Sequence, residues 1–130
     1  MNHTPVVESL ELLAARDIDP TEAVYRRLFA RHPEMEALFI RDPKYIVRGQ
    51  MVQMVIENLL DYATTRTFGL PMIQAERVNH VNLGVPNDVF GIFFGVIHET
   101  IADLLGDDWT PVMNSSWQEM LADLIQEIEV

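Results

Sequence analysis

Apolar residues recur at spacings of three and four along most of the chain, and the gaps between those runs carry helix punctuation. Asp19-Pro20, Asp42-Pro43 and Thr110-Pro111 each read as an N-cap followed by proline at the first helical position, where the missing N–H is not needed. Between Pro20 and His32, Val24, Tyr25, Leu28 and Phe29 share a face, while Arg26, Arg27 and Arg31 turn to solvent. Residues 43–66 predict a long helix with a stripe of Val47, Met51, Val55, Leu59 and Tyr62, backed by Met54 and Leu60. Phe68-Gly69-Leu70-Pro71 is a break, after which Pro71 opens a shorter helix towards His80 and Gly84 stops it. Pro86 with Asn87 or Asp88 starts the next helix, which carries Phe90, Phe93, Phe94, Ile97, Ile101 and Leu105 and ends at Gly106. The last helix, 111–129, buries Met113, Trp117, Met120, Leu121, Leu124 and Ile128, and "VVESLELLAA" predicts a weaker, short N-terminal one.

The stretch "VFGIFFGVI" (89–97) fits a buried strand as well as a helix by periodicity alone. The helical pattern continues through Leu105 and no partner strand exists, so the chain reads as all-α. A length of 130 residues supports one core. No repeat or linker interrupts it, so 1–130 reads as a single domain whose first 18 residues are a short helix and tail.

Composition narrows the chemistry. With no cysteine, disulfides, thiolate metal sites and cysteine nucleophiles are excluded. The net charge of -11 repels phosphate backbones and anionic lipid, so neither nucleic acid nor membrane is expected as a partner. The apolar window 89–97 is too short to span a bilayer, and "MNHTPVVESLELL" lacks the basic start and apolar run of a signal peptide. A cytoplasmic protein is expected. No glycine-rich phosphate loop, nucleophile–base arrangement or zinc spacing is present.

One segment raises a sharper question. In "NHVNLGVPNDVF" (79–90), His80 stands one turn before a Leu-Gly break, as a packed residue, an exposed one or a metal ligand. His32 before Pro33 and His98 beside Glu99 read as residues near the surface, and His3 as part of a tail.

The segment "VYRRLFARHPEMEALF" (24–39) resembles the second and third helices of bacterial globins, including the globin domain of flavohaemoglobins. "NHVNLGVPNDVF" resembles their proximal-histidine segment, and "LGDDWTPVMNSSWQEML" (105–121) the junction between their last two helices. The likeness covers residues 19–128 and implies a globin-like fold of six to seven helices around one haem b pocket. By that resemblance His80 is the iron ligand, which suits a chain that can offer imidazole but no thiolate. Phe39 corresponds to the aromatic that packs on the haem face. Phe90, Phe93 or Phe94, Val55 and Ile97 are candidates for the apolar wall that a flat porphyrin needs. Related globins often carry tyrosine where this chain has Phe90, a hydroxyl that would tune the proximal histidine.

Tyr25 matches the tyrosine that donates to the gas ligand in many bacterial globins; otherwise its hydroxyl reaches a backbone carbonyl. Anchoring on "DYA" (61–63) places Met51 where glutamine or histidine is common, and a slide of one residue would put Gln50 there. A methionine cannot donate a hydrogen bond, but it can ligate iron, so a six-coordinate His80–Met51 state is a variant of the reading. Lys44, Arg48 and Arg77 are either partners of the haem propionates or ordinary solvated charges. The implied function is reversible binding of a diatomic gas, oxygen or nitric oxide, rather than catalysis. Nitric oxide dioxygenase-type turnover would need a separate reductase. The alternative is a haem-free globin-fold sensor or protein-interaction domain; either is compatible with a monomer or a homodimer.

Overall fold

The computed structural model describes residues 3–129, and all regular structure among them is helical. Six α-helices are joined by short links: α1 (Thr4–Ala15), α2 (Thr21–Arg31), α3 (Ile46–Ala63), α4 (Gly69–Asn82), α5 (Asn87–Leu105) and α6 (Pro111–Glu129). A 3₁₀ segment, Pro33–Phe39, follows α2, and a 3₁₀ turn, Gly106–Asp108, follows α5.

The core is built where the helical stripes meet. Leu10 and Leu13 of α1, Val24 and Leu28 of α2, Leu59 and Tyr62 of α3, Ile97 and Ile101 of α5, and Trp117 and Leu124 of α6 are all buried. The N-terminal segment is integral to it, contrary to its reading as a tail. His3 is buried, its backbone amide donates to the Ala63 carbonyl at 2.9 Å, and Trp117 Nε1–H donates to Ser9 Oγ at 2.8 Å. Burying so much of α1 against α3 and α6 outweighs its weak punctuation.

The Thr110 cap lies where the sequence puts it, and Asp19 acts one residue further out than expected, since α2 begins at Thr21 with Pro20 in the cap position. Asp19 Oδ1 accepts from the amide and hydroxyl of Thr21, at 3.0 and 2.6 Å, and Thr110 Oγ1 accepts from the Met113 amide at 3.1 Å. The third is displaced. α3 starts at Ile46, not Pro43, after Tyr45 in the left-handed region (φ 60°), and Asp42 reaches forward to accept from the amides of Val47 and Arg48 at 3.0 Å each.

The buried face of α3 is also rotated from the apolar stripe. Val47, Met54 and Leu60 are exposed, whereas Arg48, Val52, Asn58 and Asp61 are buried beside Leu59 and Tyr62. Polar residues are tolerated inside because the fold supplies partners. Asp61 accepts from the amides of Gly69 (2.7 Å), Phe68 (3.0 Å) and Thr67 (3.2 Å) and from the hydroxyls of Thr67 and Thr65. Burial pushes its carboxyl up, but the Gly69 amide and the Thr67, Phe68 and Thr65 donors outweigh that and hold it far below the usual carboxylate range.

Those bonds satisfy the free amides at the start of α4, which opens at Gly69 rather than Pro71. Gly69 is required by contact, since a Cβ there would stand 2.3 Å from the Asn58 carbonyl oxygen. α4 ends as expected at Gly84 (φ 93°), with the Val85 amide donating to the His80 carbonyl at 2.8 Å and the Gly84 amide to Val81 at 3.0 Å, a Schellman motif.

α5 belongs to a 22-residue apolar stretch, Asn87–Asp108, long enough by length and composition to cross a bilayer and longer than the window 89–97 suggested. Its Phe94, Val96, Ile97, Ile101 and Leu105 pack into the core. On the outer side of α2, Arg31 is exposed and Arg27 partly so, and both pair at the surface with α5, Arg27 with Asp103 and Glu99 and Arg31 with Glu99.

Candidate functional site

α2, the 3₁₀ segment, α3, α4 and α5 line a cavity of about 100 Å³ that opens to solvent on one side. This is smaller than the roughly 300–1,000 Å³ of small-molecule and cofactor sites, so a bound cofactor would have to part the lining side chains. Its floor is formed by Tyr25, Leu28, Asn58, Ile73, Val89 and Phe94, all buried, and its mouth by exposed side chains such as Leu38 and Met54. The walls are almost wholly carbon.

His80 faces this space from the last turns of α4. Its Nδ1 lies 2.7 Å from the Glu76 carbonyl oxygen, which can only accept, so Nδ1 carries the proton. In the neutral ring Nε2 is then an unprotonated lone-pair donor. The Glu76 carboxylate stands 3.6 Å from the same Nδ1, too far for a hydrogen bond. Phe90 packs on the imidazole with ring centroids 5.2 Å apart, and its edge meets Phe94 at 5.6 Å.

On another wall Tyr25 is 1% exposed, and its ring contacts Phe39 edge-on at 5.2 Å and Phe93 at 5.6 Å. Its hydroxyl reaches neither of the partners weighed from sequence but donates to Met51 Sδ at 3.8 Å. Burial raises the phenol well above its ordinary range, the Arg48 charge opposing this only in part. The hydroxyl is therefore a protonated donor at neutral pH. Met51 and Val55 line the cavity, while Gln50 is exposed on the outside of α3, which settles the register between them.

Eight of the site residues singled out from sequence thus meet in one place: Tyr25, Phe39, Met51, Val55, His80, Phe90, Phe93 and Phe94. Four do not. Ile97 is fully buried in the central core instead of lining the cavity. Arg48 is buried and committed to Asp42, with Nε 3.1 Å from Oδ2 and the guanidinium stacked 3.5 Å over the Tyr45 ring, so it is not a free rim cation. Lys44 is exposed, and Arg77 reaches towards Asn87 Oδ1 at 3.5 Å. The cavity-lining Asn58 and Glu76 were not expected. Both sit on helix positions whose polarity reads as a solvated face until the neighbouring helix is placed.

His98 is not a simple surface residue. It stacks on Trp117 (centroids 5.5 Å apart, planes within 4°), touches Trp109, and its Nε2 bonds Asn114 Oδ1 at 3.1 Å. Among the described residues no three of His, Cys, Asp and Glu cluster as a metal cage, so the imidazole in the cavity is a single-donor site.

The fold is thus a helical one with a single imidazole lining a carbon-walled cavity. Residues 22–128 match the family model for Globin, and the chain belongs to the globin family. α1 lies outside the matched region. No curated protein matches the chain.

Proposed function

We propose that this globin binds haem b in the cavity and reversibly binds a diatomic gas, oxygen or nitric oxide. The observation that carries the reading is the His80 ring, which faces the cavity with its proton given to the Glu76 carbonyl and its Nε2 free. When bound, haem supplies an iron centre that takes the gas. His80 Nε2 would hold the iron, with its tautomer fixed by Nδ1 and its position by the Schellman turn that ties its carbonyl. Phe39, Phe90 and Phe94 supply apolar surface for the macrocycle, and the carbon walls keep water out. Tyr25 is the hydrogen-bond donor facing the gas, and Met51 is its resting partner. The thioether beside it has no hydrogen to donate. Redox turnover would rest on electrons from a separate reductase, and a cysteine-free chain suits the cytoplasm.

The test is reconstitution. Haem added to the purified protein gives a Soret band at one equivalent, and His80→Ala abolishes it or leaves only a weak, non-stoichiometric one. A His80→Ala protein that takes up haem with an unchanged spectrum would overturn the assignment. A wild-type protein that stays colourless would favour the haem-free sensor or interaction domain instead.

A further inference from the structure

The Tyr25 hydroxyl has one hydrogen-bond partner among the described residues, the Met51 sulfur, and that partner can be altered by chemistry. Tyr25 is buried, its ring packed against Phe39 and Phe93, so its hydroxyl depends on groups inside the cavity. Met51 is only partly buried and lines a cavity open to solvent, which gives a small oxidant a route to it. A thioether that takes up one oxygen becomes a sulfoxide, and a weak acceptor is replaced by a polar S=O group. The geometry suits that product. A bent S=O···H–O bond with an O···O distance of about 2.8 Å spans close to the 3.8 Å that now separates sulfur from phenol oxygen, so neither α2 nor α3 need move. The chain has 7 methionines and no cysteine, so reversible sulfur oxidation in it falls to methionine alone. Met113 and Met120 are buried outside the cavity, and the exposed Met54 and Met72 make no bond to Tyr25.

We propose that Met51 is a redox modification site that switches the protein's hold on its gas. A hydroperoxide transfers one oxygen atom to Met51 Sδ as its O–O bond breaks. The sulfur is oxidised by two electrons, and the hydroperoxide is reduced to the alcohol, or to water in the case of hydrogen peroxide. The sulfoxide oxygen then accepts from the Tyr25 hydroxyl and withholds it from the gas, which leaves faster. The chemistry at sulfur stands by itself; its effect on the gas rests on the haem-binding reading. A methionine sulfoxide reductase driven by a dithiol returns the thioether, with a disulfide and water as the other products, and so restores the donor.

In the experiment the apoprotein is treated with hydrogen peroxide, the excess is removed with catalase, and haem is added afterwards. Peptide mass spectra should show one added oxygen on Met51. The tyrosine doublet in the ultraviolet Raman spectrum, assigned by difference from Tyr25→Phe, should shift towards stronger donation in the oxidised apoprotein. Once loaded with haem, oxidised wild type should release oxygen about tenfold faster, as expected for one lost hydrogen bond, and Met54→Leu should respond likewise. The off-rates of Met51→Leu and Tyr25→Phe should be indifferent to peroxide. Met51 left unmodified after Met54 and Met72 are oxidised, or modified with the doublet or the off-rate unchanged, would overturn the switch. A shifted doublet in a protein that takes up no haem would support the capture of Tyr25 while the haem-binding reading alone fails.

Discussion

The Nδ1 proton of His80, held by a carbonyl four residues earlier, decides what the rest of the ring can do. An exposed histidine samples both tautomers, whereas this one is prepared to offer Nε2 to the cavity. Tyr25 is prepared in the complementary sense, its hydroxyl kept protonated by burial and paired only with a thioether. A thioether is a weak acceptor, so the bond is given up at small cost when a better acceptor arrives. Tyr25→Phe should therefore lower stability by less than about 1 kcal/mol yet raise the oxygen off-rate about tenfold, as loss of one hydrogen bond predicts. Stopped-flow displacement of oxygen by carbon monoxide measures it, and an unchanged rate would mean the hydroxyl never turns from Met51. Tyr25 was legible on an apolar face of α2 and His80 one turn before a recognisable break, and the family resemblance supplied the role expected of each. Asn58 was not legible. It counted as a polar position against one register of α3, and only the crossing of α4 over it makes that position interior.

At the scale of elements, the α3–α4 corner sets the shape of the floor. Asp61, near the end of one helix, gathers the amides that begin the next, and Gly69 lets the two backbones touch. Asp61→Ala should cost about 2 kcal/mol, the upper end for a helix cap. Gly69→Ala should cost about 1–3 kcal/mol by forcing the helices apart, and should weaken haem binding because Asn58 and Ile73 move with them. Urea titrations with and without haem separate the two effects; a Gly69→Ala protein of wild-type stability would mean that the corner yields. Sequence punctuation located α2 and α6 because Asp19 and Thr110 bond amides close by, and α5 because Pro86 marks its start. It misplaced the start of α3 because Asp42 caps from beyond a left-handed Tyr45, and it missed Asp61 because a cap reaching from the preceding helix leaves no adjacent pattern. The same limit applies to Arg48, whose partner Asp42 is close in sequence but whose burial depends on the aromatic rings of Tyr45 and Phe39.

For the molecule as a whole, two imidazoles outside the cavity connect stability to pH. His3 is lowered from 6.5 by burial and then by the Arg66 charge, with Asp123 and Glu119 opposing, and its Nε2 has no partner among the described residues. His98, between two indoles, is lowered from 6.5 by burial, with its bond to Asn114 and the charge of Glu99 opposing. Below 6.5 the unfolded chain binds protons at these positions more readily than the native one, so stability rises with pH there and falls as pH drops. The loss levels off once pH passes below the depressed native values, where both states are protonated. Asp61 and Asp42, both held below 3.8, act in a separate window, losing their contribution only as pH falls below that value. Acidification also relieves the self-repulsion of a chain at -11, which acts in the opposite direction but is screened by salt. In high salt, then, Tm should decline as pH falls through 6.5, and the decline should shrink in His98→Gln, which loses a titrating ring but keeps an amide able to donate to Asn114. Because His3, just before α1, and His98, on the second half of α5, do not line the cavity, the same decline should appear in the apoprotein and in the haem complex. A Tm flat across that range in both wild type and His98→Gln would show that neither ring is kept neutral by its surroundings.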